Sequence, residues 1–259
     1  MILSGTIDRR LLVNFAVEPE ILEKILPQPF RPKVVAGQGV AGICLIRLSH
    51  LGPSRLPFEL GVTSENAAHR IAVVWNSKGV EREGVFIPRR DTSSRLNTLL
   101  GGRVFPGVHH HASFNVEESE PRYRVGFHSK DGVVTVAVSG SVTDDLPSGS
   151  IFPCLEEVSR FFEMGSIGYS ASADPRRFEG LVLRTSDWLV RPFKVTEVES
   201  SFFDDVSRFP PGTVRFDNAL IMNRIQCEWR ALQDLRSDIS RGVADRSLAG
   251  STPAMDTAL

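Results

Sequence analysis

Lysine is scarce in this chain. Of its 30 basic residues only five are lysines, Lys24, Lys33, Lys78, Lys130 and Lys194, and none lies between Gly79 and Ser129. Arginine stays protonated and delocalised, so this composition offers few amines as nucleophiles. Cysteine is scarce too. Cys44, Cys154 and Cys227 are odd in number, widely spaced and set among apolar neighbours. That excludes a disulfide framework and reads as buried free thiols in a reducing compartment, with a nucleophilic cysteine as the alternative. There is no excess of either charge: 30 basic residues against 31 acidic ones give a formal net charge of −1. With the arginines scattered, nothing pulls the chain toward nucleic acid. Apolar runs such as Ile71–Trp75 are too short to cross a bilayer. The opening Met1-Ile2-Leu3-Ser4-Gly5 has neither the basic nor the apolar region of a signal peptide. The expectation is a cytoplasmic protein without membrane or nucleic-acid partners. No Gly-x-Gly-x-x-Gly turn after a strand, phosphate loop or Gly-x-Ser-x-Gly elbow occurs, so no nucleotide cofactor is expected.

What is present is ordinary in bulk and specific in pattern. The chain has 259 residues, 41% hydrophobic and 24% charged, enough to bury a sizeable core. Pro19 at a first helical position, acids around it and a stopping Pro27 bracket a short helix. Its Ile21, Leu22, Ile25 and Leu26 make one apolar stripe. Strands are expected over 42–51, 67–75, 84–87, 103–116, 122–128, 132–142, 181–203 and 214–231, which are rich in β-branched and aromatic residues. Asp131-Gly132 reads as a hairpin turn. The segment 181–203 is too long for one strand and should break at a bulge or at Pro192. Two more helices are expected: one N-capped by Asp91 and ended at Gly101, the other over 151–164. In the latter, Glu156 and Arg160 are spaced for an ion pair. Many strands and few helices point to a mainly β, antiparallel, closed or half-closed sheet with a few short packed helices. The expected division is one domain over 1–235 and a flexible tail over 236–259, where periodicity is lost.

The run Leu11-Leu12-Val13-Asn14-Phe15 through Leu26-Pro27-Gln28-Pro29-Phe30 resembles the opening of the acetoacetate decarboxylase-like superfamily. Leu155-Glu156-Glu157-Val158-Ser159-Arg160-Phe161-Phe162, and Ser186-Asp187-Trp188-Leu189-Val190-Arg191-Pro192 running on to Phe202-Phe203, are similar to a bacterial branch of it that is a domain of unknown function. The resemblance spans about residues 9–231. It implies a cone-shaped antiparallel β-barrel with a pocket inside. In the decarboxylases the first lysine of a Lys-Lys pair preceded by proline forms a Schiff base. Here the matching stretch, Arg89 through Asn97, holds Pro88-Arg89-Arg90 and no lysine. The resemblance therefore implies the fold without the Schiff-base chemistry. Lys194 lies between the apolar Phe193 and Val195.

Several ionisable residues sit on apolar strands. In His109-His110-His111 the outer two share one strand face. They could ligate a metal with a third group such as His69, Glu65 or Glu156, or simply line a polar pocket; no metal is assigned. His69 and Arg70 face opposite ways inside an apolar strand. Arg70 could fix a substrate carboxylate, or pair with a buried Glu156 or Glu83. Arg89, Arg90 and Arg95 flank the Asp91 helix as an anion pocket or as a solvated face. Tyr169 and Trp188 are candidate pocket walls or core aromatics. The candidate set is His69, His109, His111 and Glu156 for proton transfer, with Arg70, Arg90, Tyr169 and Trp188 for substrate binding. Two functions follow: a lyase-type acid/base enzyme acting on a keto or other carboxylic acid, or a non-catalytic protein binding an acidic or hydrophobic small molecule. A homo-oligomer is left open.

Overall fold

Strand β1 (Ile2–Val17) alternates buried and partly exposed residues at first and is then buried continuously over 11–17. Alternation marks one wet face; continuous burial marks a strand covered on both. The computed structural model describes residues 2–53, 63–95, 98 and 106–237. After β1 comes helix α1 (Pro19–Ile25), with Pro19 in its first turn and Ile21 and Leu22 buried as the stripe requires. There follow β2 (Arg31–Pro32), β3 (Val34–Val35), β4 (Gln38–Pro53), β5 (Ser64–Ser77), β6 (Val80–Thr92), β7 (His109–Ser119), β8 (Arg122–Ser129) and β9 (Thr135–Val142). Helix α2 (Leu155–Met164) precedes β10 (Ile167–Ala171), β11 (Arg177–Thr185), β12 (Arg191–Ser200), β13 (Val214–Ala231) and β14 (Leu235–Arg236).

These strands form one large sheet that rings round on itself without making a regular barrel. One circuit of pairings runs β13–β1–β4–β5–β6–β10–β11 and back to β13. A second leaves β6 through β7, β8, β9 and β12 and rejoins at β13. The two circuits share β13, β1, β4, β5 and β6. The sheet is mixed rather than purely antiparallel, because β6 pairs in parallel with both β10 and β7. Each parallel neighbour follows an intervening connection long enough to return the chain to the same direction.

Because the shared strands serve both circuits, both of their faces are packed. One face carries Leu11, Val13, Ile43, Leu45, Ile71 and Val73, packed with Phe202, Phe203 and Phe209. The other carries Leu12, Cys44, Ala68 and Ala72 under Phe152, Val158 and Phe162 from and before α2. Small Ala68 and Ala72 leave room for the helix. A third cluster, with Leu3, Ile7, Leu48, Met222 and Trp229, lies further along that face.

The expected boundaries shift where pairing partners change. The 181–203 segment divides into β11 and β12 because β11 pairs with β13 at residues 227–231 and β12 pairs with it at 220–221. The break at 186–190 falls just ahead of Pro192. The Asp131-Gly132 turn forms, with Gly132 at φ +73°. Asp91 is not an N-cap: it lies in β6, in register with Ala67. Residues 96–97 and 99–101 of the helix expected after it, and residues 103–105 of the expected strand, lie outside the described residues. Arg236, expected in the tail, pairs with Arg177 in the sheet; the rest of the tail, from residue 238, lies outside the described residues. Glu156 and Arg160 are both exposed, without an ion pair between them; the Glu156 carboxylate accepts from its own backbone N–H at the start of α2, which holds its pKa down.

Candidate functional site

Between the α2-covered cluster and the third cluster the first circuit encloses a cavity of about 130 Å³. All seven of its strands contribute to the wall, among them Arg10 of β1, Cys44 of β4, Arg70 of β5 and Arg90 of β6. Gly168 of β10, Leu181 of β11 and Trp229 of β13 close the far side. The register explains the grouping. Cys44 pairs with Ala68, and Ala68 with Arg90, so the three lie in one row across neighbouring strands. Arg70 is two residues from Ala68 and shares its face. Arg10 shares a face with Leu12.

Arg70 is 6% exposed. Its Nη2 donates to Asn14 Oδ1 at 2.5 Å. Asn14 is oriented in turn: its Nδ2 donates to Asn218 Oδ1 at 2.8 Å, and Asn218 Nδ2 donates to Asp217 Oδ2 at 2.6 Å. The guanidinium also lies 4.5 Å over the Phe162 ring. Among the described residues Arg70 Nε has no partner, and neither do Nε and Nη1 of Arg10. Arg90 Nε donates to Ser170 Oγ at 2.9 Å. Burial pulls both Arg70 and Arg90 down to about 10, and the neighbouring Arg10 charge also lowers Arg70. Among the described residues no carboxylate forms an ion pair with Arg10, Arg70 or Arg90. Asp91 borders the cavity, but its carboxylate is held by Arg89, with Nη2 2.8 Å from Oδ1. Arg70 is buried and Arg10 and Arg90 are half-buried; cations so placed without a counter-carboxylate are costly unless an anion joins them.

His109 completes the polar wall. It lies beside Arg90 in the parallel register of β6 and β7. Its Nδ1 is 3.1 Å from Gly107 O. A carbonyl only accepts, so Nδ1 carries the proton and Nε2 the lone pair. Burial, with the Arg90 charge, lowers its pKa to about 3, so the ring is neutral at pH 7.

Of the residues singled out in the sequence, the structure brings Arg70, Arg90 and His109 together. It separates the others. His69 points to the opposite face, 0% exposed, stacked on Phe202 with ring centroids 4.4 Å apart. Burial, and then the Arg89 and Arg208 charges, lower it to about 3. His111 is not in the cavity wall, and His110 binds Asp131 at 3.0 Å on the Arg89 side. Glu156 is exposed on α2 and does not face the pocket. Arg70 pairs with neither carboxylate considered for it; Glu83 is taken by Lys33 at 2.7 Å. Tyr169 packs among Phe30, Trp75 and other core aromatics. Trp188 stands behind the cavity, with Arg10 5.5 Å over its ring and its Nε1 donating to Ser159 Oγ at 3.1 Å. Arg89 and Arg90 divide between the two faces, and Arg95 is exposed. Glu65 is held by Arg9 and Arg47. Among the described residues no three His, Cys, Asp or Glu side chains gather to hold a metal ion.

Sequence reasoning missed Arg10 and Asn14, and of the three cysteines it did not single out Cys44. The signal for Arg10 was present: Arg9-Arg10 interrupts an apolar strand, so alternation must turn one of the two toward each face. Arg9 goes the other way, 1% exposed, to Glu65 and Glu118. All five lysines lie within the described residues, and none lines the cavity. Lys24, Lys78, Lys130 and Lys194 are exposed. No described helix is long and apolar enough to cross a membrane.

The comparisons agree with this architecture. An acetoacetate decarboxylase-like enzyme from Sphingomonas wittichii superposes with a TM-score of 0.56 at 13% identity, over 92% of each chain. The acetoacetate decarboxylase of Legionella pneumophila gives a TM-score of 0.56 at 13% identity, over 89% of this chain and 87% of that one. The enduracididine biosynthesis enzyme MppR, complexed with the condensation product of pyruvate and imidazole 4-carboxaldehyde, gives 0.55 at 15% identity, over 92% and 90%. At such identities the likeness carries the fold. No curated protein matches the chain. A family model for DUF2071, described as an uncharacterized conserved protein, matches residues 5–212. The chain therefore belongs to the DUF2071 family, and its fold is that of the acetoacetate decarboxylase-like proteins.

Proposed function

We propose that this chain takes a small carboxylic acid, a keto acid first among the classes to test, into the cavity shared by Arg10, Arg70 and Arg90. The observation that carries the reading is the set of buried guanidinium N–H groups without partners, at Arg70 Nε and at Arg10 Nε and Nη1. A carboxylate would accept from them and supply the missing negative charge. The solved relatives add weight to a keto acid, since one is an acetoacetate decarboxylase and another enzyme of the fold was solved with pyruvate.

Chemistry in such a pocket would run by proton transfer rather than through an amine, because no lysine lines it. His109 is the group for that work. Its neutral Nε2 can accept a proton, and an anion bound at Arg90 would offset the Arg90 repulsion that adds to burial in lowering its pKa. His69, His111 and Glu156, which lie elsewhere, are left out of the role. A binding protein without turnover is the second reading, favoured by a depressed His109 pKa that makes a weak base in the empty pocket.

Thermal denaturation with a panel of α- and β-keto acids, run beside turnover assays, tests both. Stabilisation that disappears in Arg70→Gln supports the acid pocket. Turnover lost in His109→Gln with stabilisation kept supports catalysis. Absence of stabilisation by any acid would overturn the reading.

A further inference from the structure

We propose that Cys44 is a nucleophile of this pocket, positioned to add reversibly to the carbonyl carbon of an acid whose carboxylate is held by Arg70 and Arg90. The inference rests on the acid-binding reading above and names a covalent step within it.

The geometry starts from the sheet register. Cys44 faces the cavity from β4, and in its row only Ala68 lies between it and Arg90 on β6. Arg70 lies diagonally across from it, because Gly42, two residues before Cys44, is the partner of Arg70. Gly42 has no side chain to fill that space. The thiol thus shares the cavity wall with two guanidinium groups. A second observation points to a ligand in the same place: Arg70, 94% buried, lines this cavity, and among the described residues its Nε has no partner. The other two cysteines lack this setting. Cys227 is pushed up to about 12 by burial, and its Sγ donates to Gly5 O. Cys154 is half-buried at the start of α2, away from the cavity.

In the step itself an S–C bond forms between Cys44 Sγ and the carbonyl carbon. The C=O π pair moves onto oxygen, and the proton that leaves the thiol ends on that oxygen. The product is a thiohemiketal; nothing is oxidised and no group departs. The addition holds a keto acid covalently where an amine would otherwise be needed.

Charge-selective alkylation is the direct test. Iodoacetate carries the carboxylate the arginines would hold and iodoacetamide does not. On the Cys154→Ser background, iodoacetate is expected to modify Cys44 about tenfold faster than iodoacetamide, the factor that 1.4 kcal/mol of attraction gives. Arg90→Gln should erase the preference. Pyruvate should protect the thiol. With [2-13C]pyruvate, a tetrahedral carbon signal should appear and should be missing from Cys44→Ala. Iodoacetamide reacting as fast as iodoacetate at Cys44, or protection without a tetrahedral signal, would overturn the proposal. Thermal stabilisation by pyruvate in Cys44→Ala separates the two ideas. If it is kept while the wild-type chain forms no adduct, only the nucleophile fails; if neither chain is stabilised, the acid pocket fails as well.

Discussion

His69 offers the sharpest test of the two-faced sheet. Its ring is 0% exposed, stacked on Phe202 at 4.4 Å and tilted against Phe203 at 6.0 Å, and among the described residues neither ring nitrogen has a partner. Its pKa falls from 6.5 to about 3, so the folded chain holds it neutral. For a base with a depressed folded pKa, the stability it contributes is present above the unfolded value and is lost as pH falls from 6.5 toward 3. At pH 5 the unfolded histidine is protonated and the folded one is not. The gap of 1.5 units below 6.5 is then worth about 2 kcal/mol. His69→Phe keeps the ring and deletes the two unpaired nitrogens. At pH 7 it should be neutral or stabilising by about 1 kcal/mol. At pH 5 its advantage should grow by about 2 kcal/mol more. His109 is depressed in both chains and cancels in the difference. Urea midpoints at pH 7 and pH 5, followed by tryptophan fluorescence, give the comparison. Equal pH dependence in the two chains, or loss of acid binding in His69→Phe, would show that the ring is not the inert core group described here.

Arg70→Gln and Arg90→Gln should each weaken keto-acid binding by about 1.5–3 kcal/mol, as expected for a hydrogen bond to a charged group, measured by calorimetric titration. A Cβ on Gly42 would stand 2.3 Å from Val13 O and 3.2 Å from Asn14 Oδ1, so Gly42→Ala should destabilise by about 1–3 kcal/mol in urea and also weaken acid binding by disturbing the Asn14–Arg70 contact. An anion bound at Arg90 is expected to raise the His109 pKa from about 3, so binding should take up protons as pH falls toward that value, seen as buffer-dependent heats; buffer-independent heats there would place the acid away from His109. Borohydride with a keto acid should trap no adduct on the five lysines, read by mass spectrometry of the digest; an adduct at Lys194 would restore amine chemistry at a new position.

The sequence by itself determined the kind of element in most places. Pro19 and the Ile21–Leu22 stripe fixed α1, β-branched runs fixed the strands, and Asp131-Gly132 fixed a turn, because these signals are local. It also determined the shortage of amines, and alternation alone established that His69 and Arg70 face opposite ways. Which of the two faces meets the pocket was not legible there. Both faces of β5 are buried, so the usual contrast between wet and dry sides, which lets alternation name a direction, is missing. Only the pairing of β11 with β13 and of β6 with β10 closed a circuit around Arg70, and it brought Arg10, Cys44 and Arg90 beside it from three other strands. Those neighbours are tens of residues apart, and register between distant strands is set by the packing of whole faces rather than by any local run. The same closure left His69 among phenylalanines and Glu156 in solvent.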